Sequence, residues 1–273
     1  MTDGSIHFRI LEDIAHDLSG DVNFPTCLDA AILIRDTLRD PLTDLSRVVR
    51  AVSMEPLIAS KLLRLVNSVV YNPSGERISD IESAIRRLGF EIVRTTSLAV
   101  AMDQMLKSRN LATYDKLSRQ TWENSVQVAA IARVLARHLG RILPDEAMLA
   151  GLVHNIGIFY LLYRAAEYPA YRDNEAAMLE LLKGWHEGIG ESLLHILGLP
   201  LGITNAVRDQ SRLRDTETPC TISDVLYFAK QLADCRLDWL DGPTANQFMC
   251  SQYADLLLEA ADDVRELHAI LAA

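Results

Sequence analysis

Apolar residues recur along this chain at steps of three and four, the spacing of an α-helix that buries one face. In the clearest case, over residues 55–69, the polar residues Lys61, Arg64 and Asn67 occupy the opposite face. The apolar face there is built from Leu57, Ile58, Leu62, Leu65, Val66 and Val69. No long alternation of apolar and polar residues indicates a β-strand, so the pattern predicts an all-α protein.

Turn-forming and capping residues set the expected limits of the helices. Pro25 and the Asp40-Pro41 pair separate three helices near the N-terminus. Ser79 is the predicted N-cap of a helix that ends at Gly89. Asn174 is the predicted N-cap of a second helix, which continues to Leu182. The predicted helices cover about 6–19, 27–39, 42–53, 55–69, 80–88, 90–107, 118–139, one from 144 that carries His154 and Asn155, 174–182, 185–197, 202–212, 221–237 and 246–271.

Residues 110–116 have the weakest helical pattern near the middle of the chain and predict a junction between two lobes. We therefore expect an N-terminal helical lobe over 1–112 and a C-terminal lobe over 113–273. With 273 residues, of which 49% are hydrophobic, the chain is long enough to bury a substantial core.

The charge of the chain argues against nucleic acid as a partner. The net charge of −10 is the reverse of what phosphate contacts require. Arg86, Arg87 and Arg94 form a small basic group, which is interpreted as a solvated helix face. The helix-glycine-helix pair over 81–99 could suit a helix-turn-helix, but its apolar second helix favours packing.

Cysteine spacing and hydropathy indicate neither a redox motif nor a membrane segment. Cys27, Cys220, Cys235 and Cys250 lie far apart without a Cys-x-x-Cys pair, and we expect buried free thiols. Acidic residues interrupt the N-terminal apolar residues, and no apolar run approaches the ~20 residues of a membrane helix. We therefore expect a cytoplasmic protein without membrane contact.

The candidate chemistry lies in the stretch Gly-Leu-Val-His-Asn-Ile-Gly over 151–157. A His-Asp pair in such a setting would offer a metal one imidazole nitrogen and one anionic oxygen, as hydrolytic metal sites require. Here the pair is His154-Asn155, so the oxygen donor is an uncharged amide.

Several stretches of the chain, in order, resemble the HDOD family of the HD-domain superfamily. They are Phe24-Pro25, residues 62–68, Ile78, residues 84–89, Gly151 to His154, Trp185-His186, Gly190 and Leu199-Pro200. The resemblance implies an HD-domain-like C-terminal lobe packed on an N-terminal helical lobe. One HDOD domain would cover about 17–215 and be followed by C-terminal helices. It also implies a role in bacterial signal transduction.

The metal positions that the resemblance implies are altered in this chain. Superfamily phosphohydrolases hold a divalent metal with a first histidine, a His-Asp pair and a later aspartate. These positions correspond here to Asn124, to His154-Asn155 and to Lys230, whose cationic side chain would repel a metal. A further pair, histidines in many relatives, corresponds to Asp209-Gln210. Only His154 and His186 match as nitrogen donors.

We therefore expect no catalytic residue and no metal cofactor. Two imidazoles and neutral amides fall short of the donor set of a catalytic divalent ion. His154 is expected to be a helix histidine that hydrogen-bonds Asn124 or Asn155. The remaining histidines are interpreted as surface or packing residues: His7, His16, His138, His195 and His268.

The first hypothesis is a non-catalytic HDOD signalling protein that binds a protein partner or a small ligand. The resemblance implies a response regulator or a cyclic-dinucleotide enzyme as that partner, and it leaves the oligomeric state open. The alternative is a phosphohydrolase that holds iron, manganese or magnesium with His154, His186 and Asp209, with Asp224 as a further candidate ligand. A third possibility, a nucleic-acid regulator that uses the helix pair over 81–99, is the weakest of the three.

Overall fold

The computed structural model is α-helical and contains no strand in the residues that it describes. These are residues 3–19, 28–172, 174–214, 216, 218–237, 239–240, 253, 255–258 and 261–272. The helices are α1 Asp3–Ser19, α2 Asp29–Arg39, α3 Leu45–Ser53, α4 Pro56–Val66, α5 Ile81–Leu88, α6 Phe90–Leu106, a 3₁₀ helix Arg109–Tyr114, α7 Asp115–Leu139, α8 Pro144–Val153, α9 Ile156–Ala165, α10 Pro169–Arg172, α11 Glu175–Ile196, α12 Leu201–Arg208, α13 Ile222–Leu232 and α14 Ala261–Ala272.

Helices α2, α4 and α5 pack against α6, whereas α1 contacts α9 and α11. Helix α2 contacts α3 and α6, while α4 contacts α5 and α6. Asp44 caps α3 by accepting a hydrogen bond from the Arg47 amide at 2.8 Å. Asp80 caps α5 in the same way, accepting from the Ser83 amide at 2.8 Å. The prediction that Ser79 caps this helix is therefore wrong by one residue, because the carboxylate of Asp80 reaches the free amide of the first turn.

The second half of the chain packs around α7, the longest helix described. Helices α8, α13 and α14 lie against α7, and α11 lies against α9 and α12. Helix α6 joins the two groups because it is buried along most of its length and also contacts α7, α8 and α9. The 3₁₀ helix occupies the segment where a junction is predicted, and the division into lobes at 112 and 113 stays a prediction.

Two polar contacts tie distant parts of the fold together. Arg133 of α7 lies over the Tyr71 ring, and its Nε donates to both Tyr71 Oη, at 3.0 Å, and Asp145 Oδ1, at 3.1 Å. Lys61 of α4 is buried, and its Nζ donates to the carbonyl of Leu271 in α14 at 2.9 Å. Burial lowers the pKa of this ammonium.

Several predicted helix limits differ from the structure; the helix expected over 55–69, for example, ends at Val66. Helix α11 runs without a break from Glu175 to Ile196, so the predicted end at Leu182 is wrong. The helices expected over 202–212 and 221–237 end earlier, at Arg208 and at Leu232. Of the helix expected over 246–271, residues 246–252 lie outside the described part of the chain.

His154 and Asn155 lie between two helices. Helix α8 ends at Val153 and α9 begins at Ile156, with His154 as the C-cap and Asn155 as the N-cap. The prediction that a single helix carries the pair is therefore wrong. The continuous apolar character of this region hides the break, because both helices are buried on all sides.

The segment Pro144–Ala165 is long and apolar enough to span a membrane by length and composition, contrary to the sequence expectation. In the fold, 89% of its most apolar window is buried inside the protein. Its apolar side chains are therefore buried against the neighbouring helices.

The cysteines differ from the expectation of buried thiols. Cys220 is exposed and Cys235 is partly exposed, because both lie in loops beside α13. Cys27 and Cys250 lie outside the described residues.

Two glycines bring helix backbones unusually close together on either side of the His154-Asn155 break. A Cβ on Gly151 would lie 2.6 Å from the Cα of Ala129 in α7. A Cβ on Gly157 would overlap the His186 carbonyl of α11 and lie 2.8 Å from the Gly190 nitrogen. Both positions therefore exclude any side chain.

We expect Gly157→Ala to destabilise the protein by about 3 kcal/mol or more, because the methyl group must push α9 away from α11. Gly188→Ala is the matched control, since nothing lies within 4 Å of the Cβ that it would add on α11. It should raise the free energy of unfolding by up to about 1 kcal/mol through helix propensity. Urea denaturation measures both, and equal effects would contradict the close contact.

Candidate functional site

A buried polar cluster surrounds the break between α8 and α9. His154 Nδ1 lies 2.6 Å from the carbonyl oxygen of Gly151, and Nε2 lies 3.1 Å from Asn124 Oδ1 of α7. His154 is 1% exposed and Asn124 is 2% exposed. The imidazole is therefore enclosed by protein, with an oxygen atom close to each ring nitrogen.

The two asparagines of the cluster contact each other directly. Asn155 Nδ2 donates to Asn124 Oδ1 at 2.9 Å and to Ser125 Oγ at 3.1 Å. Asn124 Nδ2 donates to the Cys235 carbonyl at 2.6 Å, and this bond sets the orientation of the Asn124 amide. The loop after α13 thereby closes one side of the cluster.

Gln210 and Lys230 close another side. Lys230 Nζ donates to Gln210 Oε1 at 3.1 Å, and Gln210 Nε2 donates to the His154 carbonyl at 2.9 Å. Gln210 is 4% exposed and Lys230 is 9% exposed. A buried cation from α13 is thus linked through one amide to the backbone of the helix break.

His186 enters from α11. Its Nδ1 donates to the Leu182 carbonyl at 2.8 Å, an intrahelical bond that leaves Nε2 without a proton in the neutral ring. That Nε2 is buried and has no hydrogen-bond partner among the described residues, and the same holds for Asn155 Oδ1.

Both imidazoles of the cluster are neutral. Burial, and then the charge of Lys230, lower the pKa of His154 to about 3. Burial is also the main cause that lowers the pKa of His186, and Lys230 acts in the same direction. Burial disfavours the charged form of histidine, and a nearby cation adds repulsion.

The cluster contains hydrogen-bond acceptors that no donor among the described residues reaches. In the neutral ring, His154 Nδ1 holds the proton that faces Gly151, so Nε2 and Asn124 Oδ1 meet as two acceptors. His186 Nε2 and Asn155 Oδ1 add two more. Such a surplus of lone pairs favours a cation, and the ammonium of Lys230 is the cation that the chain supplies.

A divalent metal does not fit these residues. The donors at the break are imidazoles and neutral amides, and the Lys230 ammonium repels a second cation. In the part of the chain that the structure describes, no group of three or more His, Cys, Asp or Glu side chains could hold a metal ion.

The two carboxylates of the alternative metal site are engaged elsewhere. Asp209 pairs with Arg208 at 3.1 Å, and this side-chain hydrogen bond is the main cause that lowers the pKa of the carboxyl. Asp224 caps α13, where its carboxylate accepts from the amides of Cys220 and Thr221 at 3.1 and 3.0 Å. The structure thus gathers Asn124, His154, Asn155, Gln210 and Lys230 by hydrogen bonds, and it places His186 close enough to His154 to affect the pKa of that imidazole.

Sequence reasoning missed the Ser125 hydroxyl and the carbonyls of Gly151 and Cys235. Ser125 follows Asn124 directly, so its place one step along α7 was a usable signal. The two carbonyls leave no mark in the sequence, because any residue type offers one.

The fold and this cluster define an all-α protein with a buried group of two imidazoles, neutral amides and one ammonium. Residues 24–213 match the model of the HDOD domain. Because this match covers more than half of the chain, the protein belongs to the HDOD domain family.

Comparison with individual proteins gives more distant similarities. The chain is 26% identical over 223 residues to an uncharacterized protein of Treponema pallidum (strain Nichols). The alignment covers 77% of this chain but only 41% of that relative's length.

Two crystal structures share the fold. A candidate metal-dependent phosphohydrolase from Shewanella amazonensis SB2B is 21% identical, with a TM-score of 0.73 and coverage of 98% of this chain and 99% of its own. A candidate signal transduction protein from Marinobacter aquaeolei VT8 is 20% identical, with a TM-score of 0.60 and coverage of 98% and 66%.

We expect Lys230→Met to lower the free energy of unfolding by about 1–3 kcal/mol, because it leaves Gln210 Oε1 buried without its donor. Lys183→Met, at an exposed position of α11, is the control and should change stability by less than about 0.5 kcal/mol. In a double-mutant cycle, Lys230→Met and Gln210→Leu together should cost about 1 kcal/mol less than the sum of their single effects. Additive effects would show that the two side chains do not interact.

Stability should fall as the pH drops below the ordinary histidine pKa of 6.5. Between that value and about pH 3, the folded chain binds fewer protons at His154 than the unfolded chain does, so protonation favours unfolding. The expected loss at pH 5 is about 2 kcal/mol for a histidine that stays neutral when folded.

Urea denaturation from pH 7 to pH 5 measures this loss. His154→Gln should reduce the slope of stability against pH, whereas His138→Gln, at an exposed position near the end of α7, should leave it unchanged. An unchanged slope in His154→Gln would mean that the imidazole is not held neutral.

Proposed function

We propose that this protein is a non-catalytic regulatory member of bacterial signal transduction that acts by binding rather than by hydrolysis. The observation that carries the proposal is the Lys230 ammonium, linked through Gln210 to the His154-Asn155 break. The ammonium of Lys230 therefore lies in the polar cluster where a related hydrolase would bind its metal ion.

The chemistry of the neighbouring donors supports this proposal. Magnesium and manganese sites draw much of their affinity from carboxylates, and a catalytic ion keeps an open position for water. Asn124 and Asn155 present amides instead, and both side chains are at most 2% exposed. Among the described residues, the side chains that hydrogen-bond at this break include no carboxylate.

The family supports a regulatory context. The resemblance implies a protein partner of the response-regulator or cyclic-dinucleotide-enzyme class, and we propose one of these as the binding partner in the cytoplasm. One structural relative is described as a candidate signal transduction protein. Because the chain spans 41% of the length of its curated relative, any activity of a longer protein is likewise a proposal.

One observation favours the alternative, a metal-dependent phosphohydrolase. The Nε2 atoms of His154 and His186 carry no proton in the neutral rings, and unprotonated imidazole nitrogen is a good ligand for iron or manganese. The charge of Lys230, which lowers the pKa of both imidazoles, would oppose the binding of such an ion.

Metal analysis of the purified protein separates these functions. After incubation with Fe²⁺, Mn²⁺ or Mg²⁺ and gel filtration, we expect far less than one ion per chain, with no difference between wild type and His154→Ala. Hydrolysis of p-nitrophenyl phosphate and its bis-ester should stay at background. A stoichiometric ion that is lost in His154→Ala, together with hydrolysis, would establish the phosphohydrolase instead.

A gain-of-binding variant tests the same reasoning from the other side. Asn124→His, Asn155→Asp and Lys230→Asp combined would replace two amides and the cation by metal donors. The folded triple variant should bind Mn²⁺ in isothermal titration, and the addition of His154→Ala should abolish that binding. Lys230→Asp alone is the control, because it removes the cation without completing the donor set.

A further inference from the structure

The loop between α4 and α5 forms a pocket that the polar cluster does not use. The pocket has a volume of about 560 Å³, which is within the range of small-molecule sites. It lies between the last turns of α4 and the chain that leads to α5. Its walls include Leu63, Arg64, Asn67, Arg77, Ile78 and Ser79.

Hydrogen bonds hold the pocket in shape. Asn67 Nδ2 donates to the carbonyls of Leu63 and Ile78 at 2.7 Å each, and Asn67 Oδ1 accepts from the Ile78 amide at 2.8 Å. Asn72 is 4% exposed and donates to the Glu76 carbonyl at 2.6 Å. The loop is therefore fixed to α4 at both of its ends before any ligand arrives.

Two unpaired guanidinium groups line this pocket. Within the described residues, neither Arg64 nor Arg77 forms an ion pair or a hydrogen bond, and both are exposed. By contrast, Arg86 pairs with Glu82 at 2.7 Å, as expected for an ordinary solvated helix face. Glu76 belongs to the same loop but does not line the pocket.

A second feature of the pocket is its apolar wall. Leu63 and Ile78 are half-buried and line the same space as the arginines. A ligand here would meet cationic donors on one part of its surface and an aliphatic surface on another. A pocket lined by two arginines without ion-pair partners is unusual in a chain whose net charge is −10.

We propose that this pocket binds a small organic phosphate, a molecule with one phosphate group and a ring or carbon body. Arginine forks match the planar oxygen pairs of phosphate, and the Ser79 hydroxyl adds a further donor. The body of the ligand packs on Leu63 and Ile78. This inference rests on the proposed function, for which it supplies the class of regulatory ligand.

The test is isothermal titration of the full chain at low salt with a defined set of probes. These are AMP, GMP, glucose 6-phosphate and inorganic phosphate, together with the unphosphorylated adenosine, guanosine and glucose. At least one organic phosphate should bind about tenfold more tightly than both inorganic phosphate and its own unphosphorylated form, a difference of about 1.4 kcal/mol.

Charge-removing variants locate the binding. Arg64→Gln and Arg77→Gln should each weaken that ligand about tenfold or more, since each removes a charge-assisted contact. Arg9→Gln, at an exposed position of α1, is the matched control and should bind like wild type. The melting temperatures of all three variants verify that each remains folded.

Three outcomes would overturn the proposal. They are no binding by any probe, equal binding of inorganic phosphate and the organic phosphates, and binding that Arg64→Gln and Arg77→Gln leave unchanged. None of them bears on metal content. A stoichiometric ion lost in His154→Ala would instead refute the proposed function, whatever the titration of this pocket gives.

Discussion

The close backbone approach at Gly151 and Gly157 is the constraint on which the rest of the structure depends. These glycines flank the break between α8 and α9, and their missing side chains admit α7 on one side and α11 on the other. Asn124 and His186 reach the break from those two helices. Without the close approach, the polar groups would be separated by a layer of side chains. The packing of these helices therefore determines where the polar side chains meet.

The electrostatic properties of the break are set by one buried cation, the ammonium of Lys230. A buried ammonium is tolerated where lone pairs surround it, and here amide oxygens and unprotonated imidazole nitrogens are in surplus. The same charge opposes protonation of His154 and His186. A metal ion would have to overcome that charge before it gained any ligand. Within the family fold, the polar cluster thus has a structural part in joining α7, α8 and α13.

Much of this fold could be predicted from the sequence, because amphipathic spacing indicates which helices form. The limits of α6 and the end of α7 at Leu139 follow that spacing closely. The break at His154-Asn155 could not be found in this way, since the apolar character runs through it without interruption. Two helices are predicted over 174–182 and 185–197, yet tertiary packing keeps α11 continuous through Gly184 and Gly188. Asn124, Gln210 and Lys230 came only from resemblance, because their shared cluster is a product of tertiary structure.

The buried lysine of α4 has a consequence for the last helix. Lys61 ends on the Leu271 carbonyl, and the Val69 amide donates to Glu266 of the same helix at 2.8 Å. Helix α14 therefore rests on the segment that carries Arg64 and Asn67. By thermodynamic linkage, a ligand that stabilises one conformation of that segment also stabilises the position of α14 that packs against it. Equally, a contact that holds α14 in that position stabilises that conformation of the segment. Helix α14 therefore supports the conformation of α4 and of the segment that follows it.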